Sequence, residues 1–335
     1  MSTIRDVAKI AGVAISTVSL ALNQPERVSK KTFRKVMDAA EQAGYSANPI
    51  AKSLKLGRSP IISMIVADIR TSFWQGFVQG MEAEAYRNSF LVSLSNTTGD
   101  PTNVELVLDH VIAQRVAGIV LSAPRVTGPI LKALERTDIP VLLVDHKLDG
   151  IQGDFVALDN RLAVSMLTRH LVSRGHRSIG FVSGQFGHWS ATERLDAFVA
   201  SMASNGLEVD QELILDGKWN RKEGYNAAMR LLVGDRRPTA IIAANDEMMI
   251  GVLQACQELG FACGEEISLC TVDSMPWGDV LRPRITHVAQ PIEQMAAQAA
   301  TWLYERVHNR ANDIPVRERL FAPQLVLGDS VADIS

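Results

Sequence analysis

The sequence predicts an all-α helix-turn-helix headpiece joined to a bilobed α/β core of two parallel-sheet lobes. Three observations predict it: a basic head on an acidic body, two short helical patterns joined at Gly12, and apolar strands alternating with amphipathic helices after residue 60. At 335 residues, 47% hydrophobic and 21% charged, the chain has the composition of a globular protein of two or three domains. No apolar run reaches the roughly 18 residues of a membrane span. Arg5, Asp6 and Lys9 interrupt any secretory signal pattern, so the expected location is the cytoplasm, with no membrane partner. Cys256, Cys263 and Cys270 match no zinc spacing and read as buried free thiols; no metal or other cofactor is expected.

The net charge of −3 is unevenly distributed. Residues 1–60 carry ten Lys/Arg against four acids, leaving 24 basic and 33 acidic residues in the remainder. Such a chain is built to hold a polyanion at one end only. In that head, Thr3 caps a helix that sets Ile4, Val7, Ala8 and Ala11 on one face, and Gly12 breaks it at a tight turn. A second helix runs from Ile15 to Leu22, turning Val18, Ala21 and Leu22 inward and Ser16, Thr17, Leu20 and Asn23 outward. Ser29 caps a third, Lys30 to Ala43, with Phe33, Val36, Met37 and Ala40 facing the core. Small three-helix units also serve as protein-docking modules. The basic excess and the hydroxyl-rich second helix favour DNA in the major groove.

Ungapped, the segment TIRDVAKIAGVAISTVSLALNQPERVSKKTFRKVMDAAEQAGYSANPIAKSLKLGRS resembles the headpiece and hinge of the lactose/galactose-repressor (LacI/GalR) family of bacterial transcription regulators, and the resemblance continues along the chain. It implies a headpiece over 1–46, a hinge helix and linker over 47–59, and a periplasmic-binding-protein-like core over 60–335. The two lobes are expected at about 60–159 plus 291–319 and 160–290 plus 320–330. The resemblance assigns base reading to Ile15, Ser16 and Leu20, and backbone contacts to Thr3, Thr17, Ser19, Asn23, Ser29 and Thr32. It implies a minor-groove hinge formed by Asn48, Ala51, Lys52, Leu54 and Lys55, with Leu54 as the wedge between base pairs. Taken without the family, Leu54 reads as packing of a short helix. Two departures stand out. Ala14 occupies a position that usually holds serine, and Lys52 replaces a frequent arginine, losing its planar fork. Ile15 and Leu20 offer no hydrogen bonds and suit thymine methyl groups.

The core pattern gives strands at 61–67, 90–95, 118–122, 140–144, 155–158, 178–182, 240–244 and 267–272, with helices between most of them. The family resemblance adds chain crossovers near Asp159-Asn160, Gln290-Pro291 and Leu320. In open α/β sheets ligands sit at the carboxyl ends of strands. Those ends carry Asp68, Phe73, Trp74, Asp145, His146, the loop from Gly184 to Arg194, Asn245-Asp246 and Asp273; Trp219 lies in a loop and Trp277 beside one. Aromatic faces with carboxylate, amide and guanidinium groups suit a polar ring compound such as a sugar. Family positions that hold effector fall on Arg194 and Asp273, and variable pocket positions on Trp74, Asp145, His188, Ser190, Trp219 and Asn245. Asn245 and Asp246 have a plainer alternative as caps of the next helix.

No phosphate-cradling glycine loop, serine elbow or metal-spaced histidine pair is present, so an enzyme is not expected. The expected protein is a homodimeric repressor of carbohydrate-utilisation genes, bound to a pseudo-palindromic operator and released by a small sugar-like effector between the lobes. The alternative is a corepressor-dependent regulator answering a purine or nucleoside. The last strand of the pattern ends near Leu327, which favours a dimer over a C-terminally bundled tetramer.

Overall fold

The computed structural model describes all residues except 1, 24, 46–57, 124, 126, 149, 276 and 310–313. The expected hinge residues Asn48, Ala51, Lys52, Leu54 and Lys55 lie outside the described residues. Two compact units emerge, 1–59 and 60–335.

The first unit holds α1 (Ile4–Ala11), α2 (Ile15–Asn23) and α3 (Lys30–Gln42). Its core is small: Val7, Ala8 and Ala11 of α1, Val18 and Ala21 of α2, and Val36, Ala39 and Ala40 of α3, with Ile4, Leu22 and Phe33 packed at the edge. Met37, expected inside, is 42% exposed, and Ala39 takes the inward position one turn from Val36. Thr3 donates its backbone N–H and its hydroxyl to the Asp6 carboxylate, both at 2.8 Å, and these bonds hold Asp6 below the usual carboxylate range. Gly12 ends α1 at φ 56°, a left-handed conformation that a side chain would disfavour.

In chain order the second unit runs β1 (Ile61–Val66), α4 (Ser72–Arg87), β2 (Leu91–Asn96), α5 (Pro101–Ala113), β3 (Gly118–Leu121), α6 (Gly128–Glu135), β4 (Val141–Val144) and β5 (Asp154–Leu158). It continues with α7 (Asn160–Ser173), β6 (Ile179–Ser183), α8 (Trp189–Ser204), β7 (Ile214–Asp216), α9 (Arg221–Val233), β8 (Ala240–Ala243), α10 (Asp246–Leu259), β9 (Ser268–Val272) and β10 (Thr286–Ala289). Then follow α11 (Ile292–Asn309), β11 (Glu318–Phe321) and β12 (Gln324–Val326).

These strands form two six-stranded sheets, ordered β11-β5-β4-β3-β1-β2 and β12-β10-β9-β8-β6-β7. Every described pairing is parallel except β10 with β12. Alternation within the first sheet explains its two covered faces. Ile62, Met64, Val120, Leu142, Val144 and Val156 pack under α4 and α11, while Ile65, Ile119, Leu121, Leu143 and Phe155 pack under α5 and α6. The second lobe closes over one large cluster that includes the stacked rings of Phe181 and Phe198. All three cysteines are free thiols; Cys256 and Cys270 are buried and Cys263 is half-buried.

The chain passes between lobes at Asp159, at Gln290-Pro291 and at Ala322-Pro323. The third passage follows Phe321 rather than Leu320, because β11 stays hydrogen-bonded to β5 through Phe321↔Leu158. β7, β10 and β11 were not among the expected strands, whereas β12 answers to the last strand expected to end near Leu327; the three carry polar or charged residues within three or four positions and so show no apolar run.

Candidate functional site

Where the two lobes face each other they enclose a cavity of about 340 Å³. Of the eight expected effector residues, Trp74, Asp145, His188, Arg194, Trp219, Asn245 and Asp273 line it. Ser190 does not. As the second residue of α8 it is buried, and its hydroxyl finds no partner. Trp189 also turns away, packing edge-on against Phe155 of the opposite lobe, and Trp277 is 47% exposed outside the cavity. The wall gains Thr98, Lys218 and Asn220, which the sequence did not single out, together with Gln185 of the expected Gly184–Arg194 loop and Gln290 of the expected crossover. Thr98 and Gln290 obey the same strand-end rule, but Gln290 follows the short β10.

Arg194 organises the floor. It is 3% exposed, donates Nε to the Asn160 side-chain oxygen at 2.7 Å and Nη1 to the Ala244 carbonyl, and stacks 5.3 Å from the Trp219 ring. Trp219 in turn donates its indole N–H to His188 Nδ1 at 3.3 Å, which assigns the proton of neutral His188 to Nε2. Gly184 makes room for that indole, since a Cβ there would lie 2.0 Å from Trp219 Cζ2. Asp273 accepts a hydrogen bond from Gln290 Nε2.

Burial dominates the electrostatics. It pushes the Asp273 carboxyl up to about 7; Arg194 opposes this, and Asp246 and Asp145 add to it. It pulls His188 down to about 4, helped by His146 and Arg125, and holds His146 below the ordinary imidazole range. His146 and His188 meet edge to face, 5.8 Å between centroids, one from each lobe.

Five of the seven non-glycine residues with positive φ among the described residues line this cavity: Thr98, Asp145, Lys218, Trp219 and Asp273. Each costs of order 1–3 kcal/mol, and such strain gathers where a scaffold aims side chains at a ligand. Carboxylates, amides, a guanidinium and indole faces held in this way can grip a polar ring by hydrogen bonds and stacking. Among the described residues no cluster of His, Cys, Asp or Glu could hold a metal ion.

The headpiece presents a second surface. Ile15 is 46% exposed and Ser16 exposed, while Thr17, Ser19 and Leu20 are half-buried along α2. Asn23 closes that helix; its side chain lies outside what is described. Thr3 is exposed and bonds Asp6 at the cap of α1. Ser29 accepts the Thr32 N–H at 3.1 Å and shares a hydroxyl contact with Thr32 at 2.8 Å, which places both at the start of α3. Arg5, Lys9, Arg27, Lys30, Lys31, Arg34 and Lys35 are all exposed, and among the described residues none of the seven is in an ion pair.

A helix-turn-helix unit with an unneutralised basic surface, followed by a two-lobed core enclosing a polar cavity, defines a ligand-responsive DNA-binding regulator. Residues 3–48 match the family described as bacterial regulatory proteins, lacI family, and residues 168–331 match a periplasmic binding protein-like domain. Along its length the chain is similar to the HTH-type transcriptional repressor PurR of Glaesserella parasuis serovar 5 (strain SH0165), 31% identical over 340 residues and 100% of both chains. PurR of Pasteurella multocida (strain Pm70) is 29% identical over 332 residues, 99% of each. A lac repressor dimer bound to operator and the anti-inducer ONPF superposes with a TM-score of 0.87 at 24% identity, covering 98% of this chain and 99% of that one. A complex of the transcriptional regulator CelR with cellobiose gives 0.74 at 24%, covering 98% and 100%. The chain belongs to the LacI family and is a DNA-binding transcriptional repressor, not an enzyme. No described helix is long and apolar enough to cross a membrane.

Proposed function

We propose that this repressor controls carbohydrate-utilisation genes from the cytoplasm, binding a pseudo-palindromic operator as a homodimer and leaving it when a small sugar occupies the interlobe cavity. The supporting observation is the cavity wall itself: the indoles of Trp74 and Trp219 beside Asp145, Arg194, Asn245 and Asp273. Stacking surfaces with alternating donors and acceptors match a pyranose, whose ring carries C–H groups on its face and hydroxyls on its rim. On the DNA side, Ile15, Ser16 and Leu20 read bases in the major groove. Thr3, Thr17, Ser19, Asn23, Ser29 and Thr32 hold the phosphate backbone. Asn48, Ala51, Lys52, Leu54 and Lys55 enter the minor groove, Leu54 as the wedge.

A purine or nucleoside corepressor is the second reading, favoured by the PurR name of the full-length relatives. Calorimetric titration of the full chain with neutral mono- and disaccharides, purine bases and nucleosides separates the two, with an operator gel shift for each binder. A sugar that binds and weakens the operator complex supports induction. Binding of purines alone, with a tightened operator complex, overturns it. In the same gel shift Leu54→Ala is expected to lose operator affinity and bending; unchanged bending removes the wedge.

A further inference from the structure

Asn245 and Asp246 stand together at the start of α10, and the sequence offers both as caps of that helix. Only one of them serves that purpose in full. Asn245 Oδ1 accepts the Met248 N–H at 2.9 Å, the ordinary N-cap bond. The Asp246 carboxylate, 1% exposed, is divided. Its Oδ1 accepts the adjacent Glu247 N–H at 2.9 Å, and its Oδ2 accepts the backbone N–H of Ser72, also at 2.9 Å. Ser72 is the first residue of α4, which packs on the first sheet, whereas α10 packs on the second. One buried carboxylate therefore lies at the positive ends of two helices from opposite lobes.

We propose that Asp246 is a positioning residue that fastens the two walls of the effector cavity in register. Its neighbour Asn245 and the residue two beyond Ser72, Trp74, are both cavity wall, so the bond ties together the two surfaces that an effector would touch. Two other described interlobe contacts, His146 on His188 and Trp189 on Phe155, are ring contacts that tolerate small slides. A charge-assisted hydrogen bond to a backbone N–H is directional and breaks within about an ångström of displacement. Rotation of one lobe about the three crossovers separates Ser72 from Asp246, which makes the bond a marker of apposed lobes.

Ser72→Pro isolates the effect. Proline is favoured at the first helical position, and Thr71 already has the extended conformation that a following proline requires, so the helix start is kept while the N–H donor and the unpartnered Ser72 hydroxyl are lost. The test is hydrogen–deuterium exchange, read by mass spectrometry, on the full-length chain without ligand. It compares Asp246→Ala, Ser72→Pro, the double variant and Asp246→Asn. Expected are about tenfold faster exchange in segments 68–75, 184–190 and 217–221 for either single change, and no further gain in the double variant. Partial rescue by the asparagine oxygen and unchanged protection in α5 and the outer half of α8 are also expected. A merely structural carboxylate would instead raise exchange throughout its own lobe. Unchanged cleft exchange in Ser72→Pro, or single effects that add in the double variant, would overturn the proposal. If Asp246→Ala does not fold, Ser72→Pro against Asp246→Asn carries the same decision.

Discussion

Arg194 has two of its donors committed inside the protein and one planar face on Trp219, so it arrives at the cavity already oriented. Preorganisation of this kind lowers the entropy cost of gripping a ligand. Truncation to alanine strands the Asn160 oxygen and the Ala244 carbonyl and frees the indole. Arg194→Ala is expected to cost about 2–3 kcal/mol of stability in a urea titration, through those unpaired buried groups. It should also abolish calorimetric binding of any effector found in the panel. Arg194→Lys is expected to restore part of the stability and little of the binding, because an ammonium cannot span both acceptors and stack. Headpiece binding to operator DNA in the absence of effector should survive both changes. A variant that bound effector normally would remove Arg194 from the site.

At the scale of elements, small residues set how closely helices approach. A Cβ on Gly80 of α4 would lie 2.6 Å from the Ala296 methyl of α11, and one on Gly251 of α10 would lie 2.2 Å from the Arg221 carbonyl oxygen at the start of α9. Gly80→Leu is therefore expected to destabilise the first lobe by about 1–3 kcal/mol through overpacking, seen as a lowered urea midpoint; an unchanged midpoint would mean that α4 and α11 slide apart freely. Legibility from sequence follows the same physics. Eight strands longer than three residues announced themselves as apolar runs, and Gly12, Ser29 and Thr3 marked helix ends by their chemistry. Seven of eight expected effector residues line one cavity because strand ends fix their positions. Ser190 does not line it although it stands one helical turn before Arg194: the long guanidinium side chain reaches the cavity, whereas the short serine stays buried at the start of α8. Asp246 reads as a cap from sequence, and only tertiary geometry reveals the second helix that it meets.

For the whole molecule, stability should depend on pH through groups with opposing signs. His188 titrates at about 4 when folded against about 6.5 when unfolded. As pH falls from 6.5 towards 4 the unfolded chain takes up that proton first, so the stabilisation present above 6.5 is lost. His146, His170 and His176, also held down by burial, act in the same direction. Asp273 opposes them. Folded it protonates at about 7, unfolded at about 3.8, so its contribution is full below 3.8 and disappears as pH rises through 7. Urea midpoints taken from pH 7.5 to 4.5 should fall on acidification, more steeply in Asp273→Asn and less steeply in His188→Gln. Parallel curves for all three proteins would contradict these assignments.

The placement of α11 has a further consequence, for the chain as it is being made. This helix follows the whole middle of the second lobe in sequence, yet Met295, Ala296, Ala299, Ala300, Leu303, Tyr304 and Val307 are buried against the first. A ribosome that has released residues 60–159 has therefore produced a sheet with one greasy face covered by α4 alone and an unpaired margin along β5, where β11 has yet to arrive. Neither lobe is complete until synthesis has passed β12: the first waits for α11 and β11, the second for β12 itself. The nascent first lobe must remain unfolded or shielded for well over a hundred residues of synthesis, which places the aggregation hazard of this repressor in translation rather than in its finished form.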